Sequence, residues 1–499
     1  MKTRTLFWLA LAATLLLKLY LAQWLPMSGD EAYFVMWAQH PALGFYDHPP
    51  MVGWILQLLL HAGHSPLVLR LPAVLLSTLI GLGIYLALRR DDQDRAALAA
   101  VLYLISPVNL LNVLITTDTP LILFAFLSGL SLFLALSRHG WWRYALAGAF
   151  LGMAFLSKYF AVLLGLAYLA YFLFSPKSGR KTGGFALLLA TALPLAAINL
   201  YWNYTHCWDN VLFNLYTRNE GETLSLGNVL IFLGSQVYLM TPPVIYYLFR
   251  RRSEWLGKWR RDEFKLFAYA FLVPMAAFAA LSLKKVIGLH WVLAFYPFLY
   301  LLAYVFLTQR ELLKSVKFMA YFSLAHLLIV AAVAALPMET WRHSRLYGGI
   351  VFMFDTDRIV QRLRPYEKDY LFATDGYTPS AIISYHYGKY FFVFGKGSYH
   401  ARQDDLITDF SRFDGRDILV LGKSPPSPVQ YAPYFRTMEI KSFTLRGATF
   451  YLVLGRDFNY PVYRERVLRP IRDKYYRIPS YLPHGPCYFC TKYFPHDPC

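Results

Sequence analysis

Two neighbouring carboxylates, Asp30 and Glu31, open a stretch, MSGDEAYFVMWAQHPALGFYDHPPMVGW (residues 27–54), that closes on Asp47, His48 and two prolines. Acids and an imidazole gathered in one short loop are the groups that take a proton from, or give one to, a reacting hydroxyl. Ser28 followed three residues later by Glu31 is also a capping box, in which Glu31 does no more than reach back to the Ser28 amide. Asp30 is not required by that cap. Residues 32–40 predict a helix that Pro41 stops, and in its first turn the helix dipole keeps Asp30 ionised and able to accept a proton.

Further groups invite the same question. Asp118 follows Thr116 and Thr117 and precedes Thr119 and Pro120, so it is either part of an ordinary helix start or a second acid of a shared site. Lys158, beside Tyr159 in the run LSKY, lies between two apolar segments, where an ammonium either snorkels to the interface or serves a function. Lys284 and Lys285 stand near Gly288, His290 and Trp291 in KKVIGLHW. Cations there meet phospholipid headgroups, or the phosphate of a lipid-borne substrate, which lysine binds as a point charge. Tyr33, Asp47, His48, Tyr159, Asn203 and His206 are the polar side chains that would line a cavity with them. Carboxylates at one wall and cations at another suit group transfer from a phosphate donor, an acid assisting the nucleophile while lysines stabilise the leaving phosphate. No Walker loop, GxGxxG or HExxH is present, so an ATP or NAD site has no support.

The elements that must position these groups are membrane helices. Hydrophobic residues make up 57% of the 499-residue chain and charged residues only 16%, against roughly 25% charged in a soluble domain. The formal net charge of +19 would suit nucleic acid, but the basic residues sit in short clusters between apolar runs, which the positive-inside rule explains and which excludes that partner. Runs long enough to span recur at residues 5–25, 67–88, 96–111, 120–136, 144–156, 160–174, 185–201, 226–249, 264–283, 291–307 and 318–336, an expectation of about eleven spans. The first run lacks a small-x-small cleavage site and reads as a retained helix, not a signal peptide. Lys2 and Arg4, then Arg89, Arg90 and Arg95, Arg138 and Arg143, Lys177, Arg180 and Lys181, the cluster from Arg250 to Lys265, and Arg310, Lys314 and Lys317 all fall on one side. That side is expected to be cytoplasmic, which turns the 27–54 loop outward. Residues 51–63 are too short to span and predict an interfacial helix.

After Pro337 the apolar runs shorten. Residues 370–373, 391–394, 417–421 and 448–454 read as buried strands and 379–387 as a helix, an outward α/β domain over residues 338–499 following a helical membrane domain over 1–337. All four cysteines, Cys207, Cys487, Cys490 and Cys499, fall on the outward side, where disulfides form. Three pairings are allowed, and a zinc site from Cys487, Cys490, His484 and His496 competes with them.

The 29–54 stretch, GDEAYFVMWAQHPALGFYDHPPMVGW, resembles the first outer loop of the GT-C glycosyltransferases, in the group of protein O-mannosyltransferases and lipid A aminoarabinose or galacturonic acid transferases. TTDTPL around Asp118, LGMAFLSKY ending at Tyr159, NYTHCW from Asn203 to Trp208, and KKVIGLHW add to it, over residues 5–337. The resemblance implies a polytopic inverting transferase in a bacterial inner membrane, using a polyprenyl-phosphate monosaccharide on the periplasmic side and a lipid A, protein or other glycan acceptor. It implies Asp30 as general base, Glu31 and Asp118 shaping the site, and Lys158, Lys284, Lys285 and His290 around the phosphate. A divalent metal is left open. His48 stands where the aminoarabinose-transferring members carry a lysine. A carrier that flips a polyprenyl-linked glycan is the rival from another class; it predicts broken helices and repeat symmetry about midplane charges, whereas the charges here cluster at the outer ends of the runs.

Overall fold

The computed structural model describes residues 2–138, 140–176, 178–219, 221–258, 262–395 and 402–497. Lys177, Cys499 and, within the cluster from Arg250 to Lys265, Arg260 and Arg261 lie outside the described residues. The chain divides into two compact units, one of Met1–Leu25, Ala62–Asn199 and Gly221–Ala334, the other of Pro26–His61, Leu200–Glu220 and Ala335–Cys499.

The first unit is a helical bundle. Among the described residues, 7 helices are long and apolar enough to cross a membrane: Thr3–Trp24, Pro66–Leu88, Asp118–Arg138, Gly179–Thr205, Lys265–Ser282, Leu289–Phe306 and Gln309–Ala335. Leu226–Met240 and Pro242–Arg250 are apolar enough together, but the pair is bent by 91° at Thr241, where Pro242 and Pro243 follow, the geometry of a broken span or a re-entrant loop. The structure thus has fewer full-length spans than the eleven apolar runs. Run 96–111 is divided at Ile105 and Ser106 into helices of 12 and 5 residues, and runs 144–156 and 160–174 fall on helices of 17 and 14 residues. The helices of 5, 12 and 14 residues are shorter than the roughly 20 residues of a typical span, and the helix of 17 stands at the lower limit.

Tyr296–Phe306 is buried at every position, as expected of a helix apolar on all sides that serves as the bundle's central post. Gln309–Ala335 is the opposite case, with only 11% of its apolar window buried, so its side chains face lipid. Buried cations are tied to backbone. Arg70 Nη1 donates to the carbonyls of Ala22 and Leu25, 2.9 and 2.8 Å away, which the end of the first helix would otherwise leave unsatisfied. Lys18 Nζ donates to the Ala73 carbonyl at 2.7 Å and to Ser77 Oγ at 3.0 Å.

The second unit is built on a five-stranded sheet: β1 (Leu371–Thr374), β2 (Phe392–Val393), β3 (Ile418–Gly422), β4 (Phe435–Leu445) and β5 (Ala448–Phe458), in the order β2-β1-β3-β5-β4. The first three strands run parallel, and β5 is antiparallel to β3 and β4. Helix Tyr377–Tyr387 crosses from β1 to β2 and ends at Gly388, whose φ of 77° gives the left-handed stop. The β4–β5 loop is Arg446-Gly447, with φ of 48° and 81°, a two-residue turn whose twist matches that of the strands. The non-glycine Arg446 is held there by its ion pairs to Asp355 and, at 3.5 Å, to Glu339, and by the Tyr347 hydroxyl, which donates to its carbonyl at 2.7 Å. The interfacial segment forms a ten-residue helix, Met51–Leu60.

Cys207 and Cys487 form a disulfide across a separation of 280 residues, and Cys490 is disulfide-bonded as well. Thiols so engaged cannot ligate zinc, so the zinc alternative is corrected. Closing so long a loop stabilises mainly by restricting the unfolded chain. Replacing both Cys207 and Cys487 with serine should destabilise the second unit by about 2–4 kcal/mol, read as a lower midpoint in the denaturation of the purified protein.

Candidate active site

In the second unit the sequence builds the acid-bearing part of the site around one capped helix. Ser28 Oγ accepts from the Glu31 amide at 3.3 Å and Glu31 Oε2 accepts from the Ser28 amide at 3.1 Å, so both halves of the capping box are present and the helix is Gly29–Gln39. Glu31 is fully buried in that role, whereas Asp30, one position earlier, is exposed. The Asp47-His48 corner lies against the same helix: His48 is 6.1 Å from the Trp37 ring, and its Nε2 is 3.9 Å from Asp47 Oδ2. Asn210 Nδ2 donates to the Phe45 carbonyl (2.8 Å) and Asn214 Nδ2 to that of Asp47 (3.1 Å), which fixes the corner.

Two residues that the sequence did not single out complete this part. Tyr377, at the head of the β1–β2 crossover helix, packs 5.1 Å from Tyr33, and both Asp30 and Asp47 help burial to push its phenol upward. Gln403 accepts from the Tyr46 amide (2.9 Å) and donates its own amide to the Tyr33 hydroxyl (3.0 Å), so one residue grips both ends of the acidic loop. Neither falls in a motif, because each contributes through a contact more than 300 residues distant in sequence. Asn203 and His206 serve the turn that carries Cys207. Asn203 Oδ1 accepts from the Val211 amide at 3.2 Å, and His206 stacks on Trp202 at 4.4 Å, where burial lowers its pKa.

Behind this turn lies a buried relay. Tyr476 Oη is 2.8 Å from Asp405 Oδ2 and 2.9 Å from Tyr488 Oη, and Tyr488 Oη is 3.0 Å from Asp209 Oδ2. Burial raises both carboxyls, Asp405 against the opposing pull of Arg402 and Lys492, and Asp209 well above its ordinary value. The Tyr488 hydroxyl donates to Asp209 Oδ2 and partly offsets that rise. A carboxyl whose folded pKa is raised contributes stability that is complete below its unfolded value, near 3.8, and is lost as pH rises through the folded value. Unfolding midpoints of the protein are expected to fall with rising pH over that window. Asp209→Asn, which does not titrate, should flatten that dependence.

The first unit carries the cation-bearing part. Lys158 ends helix Trp141–Ser157 in extended conformation, and its Nζ lies 2.8 Å from both carboxylate oxygens of Asp118, which begins the spanning helix Asp118–Arg138. Both side chains are 8% exposed. The ammonium also sits 5.3 Å from the Phe160 ring, which packs 5.0 Å from Trp291 and so links Lys158 to the KKVIGLHW segment. Lys285 is paired at 2.8 Å with Glu222, an acid that carries no motif in the sequence, while Lys284 and His290 are exposed. The Tyr159 hydroxyl donates to Asn199 Oδ1 at 2.6 Å. Among the described residues no group of three or more His, Cys, Asp or Glu side chains is arranged to hold a metal ion.

Comparisons with known proteins bear on the fold. Residues 47–202 match the family model described as dolichyl-phosphate-mannose-protein mannosyltransferase. The lipid A galacturonosyltransferase RgtD of Rhizobium johnstonii is 25% identical over 242 residues, 45% of this chain and 50% of RgtD, so the chain spans about half the length of that curated relative. ArnT from Cupriavidus metallidurans, in crystal structures of the apo state and bound to undecaprenyl phosphate, superimposes with TM-scores of 0.60 and 0.61 at 16% identity, covering 89% of this chain and 97% of ArnT. A bundle of apolar helices, a sheet-bearing unit and a superposition that runs through almost all of ArnT show that this polytopic chain carries the GT-C glycosyltransferase fold.

Proposed function

We propose that the protein is a membrane glycosyltransferase that moves a monosaccharide from a polyprenyl-phosphate donor to an envelope acceptor, a lipid A, a protein or another glycan. It works at the periplasmic face of a bacterial inner membrane, with its N-terminus in the cytoplasm and residues 338–499 in the periplasm. The observation that carries this reading is the different setting of three acids: Glu31 caps its helix, Asp118 holds Lys158, and Asp30 is exposed in the first turn of a helix. An acid so placed is the one a substrate hydroxyl can reach. The acceptor oxygen attacks the anomeric carbon and gives its proton to Asp30, while the bond from that carbon to the phosphate oxygen breaks and the lipid phosphate leaves with the electron pair. Lys158, Lys284, Lys285 and His290 neutralise the charge that gathers on the phosphate. Tyr33, Asp47, His48 and Tyr159 bound the sugar, and Asn203 and His206 support them. The fold shared with an ArnT bound to undecaprenyl phosphate, and the match to a lipid A galacturonosyltransferase, support the donor and a lipid acceptor.

One observation favours the carrier reading, the span broken by 91° at Thr241. Two prolines account for that break, and the candidate charges lie elsewhere. The protein in proteoliposomes, given a panel of polyprenyl-phosphate monosaccharides with lipid A and peptide acceptors, is expected to form glycosylated acceptor and release polyprenyl phosphate. Movement of donor across the bilayer without any sugar transfer across the whole panel would replace this reading with the carrier.

A further inference from the structure

Helix Gln309–Ala335, largely bare of protein contacts, is followed at once by a segment whose composition is that of a membrane surface. Trp341, Leu346 and Phe354 are 37%, 70% and 54% exposed, in a unit that otherwise buries most of its large apolar side chains. Between them stand Arg342, His343 and Arg345, of which both arginines and the histidine are exposed. The nearby acids are engaged elsewhere: Glu339 and Asp355 pair with Arg446, and Asp355 also with Arg358. No described residue forms an ion pair with Arg342, His343 or Arg345. The segment is shaped against the sheet, since a Cβ on Gly447 in the β4–β5 turn would lie 2.9 Å from Arg342 Nη2.

Chain length fixes the depth. From Ala335 to Arg342 the backbone can extend no more than ~25 Å, and part of that stretch is coiled as the 3-10 turn Met338–Trp341. Arg342 and Arg345 therefore lie within reach of the headgroups at the end of the last span. In the orientation argued above they stand on the outer side, where the topological rule disfavours cations close to a span. Uncompensated arginines beside exposed Trp, Leu and Phe have one natural complement, an anionic headgroup layer over acyl chains.

We propose that residues 338–354 are a membrane-surface anchor of the sheet-bearing unit, in which Trp341, Leu346 and Phe354 enter the acyl boundary and Arg342 and Arg345 bind the phosphates of anionic phospholipids. The anchor does not depend on which group the enzyme transfers.

The test uses the full chain in lipid nanodiscs, with His343→Cys carrying an environment-sensitive fluorophore; Cys207, Cys487 and Cys490 are disulfide-bonded and do not compete for the label. Quenching by lipids bearing a spin label near the headgroup should exceed quenching by aqueous iodide, and should grow when phosphatidylglycerol replaces phosphatidylcholine. Arg342→Gln with Arg345→Gln should abolish the growth with phosphatidylglycerol, by about fivefold in lipid preference for each arginine, and the paired lysine substitutions should retain it. Persistence of the Cys207–Cys487 bond on a non-reducing gel reports folding of each variant, and the lysine variant decides the matter if the glutamine variant does not fold. Equal access to iodide in every lipid would overturn the anchor. A phosphatidylglycerol effect that survives removal of both arginines would overturn the phosphate site.

Discussion

Replacing Asp30 with asparagine should reduce sugar transfer by about 10²- to 10⁴-fold, the contribution typical of a general base, while donor binding is retained. The asparagine side chain is nearly isosteric with that of aspartate, and the capping box of Ser28 and Glu31 that starts the helix is left in place. The fold should persist, with stability lowered by about 0.3–1 kcal/mol for the lost charge at the helix N-terminus. The loss should fall on kcat and kcat/KM together, because the interaction removed is one made in the transition state. The neighbouring Glu31→Gln is the contrasting variant. It keeps a side-chain oxygen to accept from the Ser28 amide, so the fold should hold and the loss of rate should be much smaller. A full loss of activity from Glu31→Gln with an intact fold, beside an active Asp30→Asn, would exchange the roles of the two acids.

The second large effect concerns Asp118 and Lys158. With both side chains 8% exposed and the ammonium equidistant from two carboxylate oxygens, the pair is desolvated but well matched. Removing one partner leaves a buried charge with no counter-ion, at a cost of about 3–5 kcal/mol. Asp118→Asn and Lys158→Met should each lower the unfolding midpoint of the detergent-solubilised protein sharply. The double substitution, which buries no lone charge, should recover much of that stability. Activity separates a structural pair from a functional one: if Lys158 holds the donor phosphate, the stable double variant remains inactive and its KM for donor is raised. A double variant with full activity would make the pair structural alone.

The residues that are legible in the sequence are those whose signal is local. The capping box at Ser28 and Glu31, the stop before Pro41, the short helix Met51–Leu60 and the crossover helix, read as 379–387 and found as Tyr377–Tyr387, depend on neighbours within a turn or two. The four strands read from the sequence, β1, β2, β3 and β5, begin within a residue of their expected starts because buried strands are continuous apolar runs. β4 has no such signature, because it is an edge strand, exposed along most of Phe435–Leu445 and written in Arg, Glu, Lys and Thr. An apolar run shows burial but not what buries it: Tyr144 and Tyr168 are enclosed by protein, on helices of 17 and 14 residues. At the candidate site the sequence nominates Asp118 and Lys158 separately but not their pairing, and Glu222, Tyr377 and Gln403 carry no local mark at all.

The disulfide between Cys207 and Cys487 sets a schedule for making the protein. At about 5–20 residues per second, the ribosome needs about 15–60 s to travel from one cysteine to the other. For that interval Cys207 is an unmatched thiol on a chain still being threaded into the membrane. The bond is thus a late act of biosynthesis, closed when the tail arrives, and the same arrival brings Tyr476 and Tyr488 to the waiting carboxyl of Asp209. A chain truncated before the tail would lose its covalent clasp and its proton relay together.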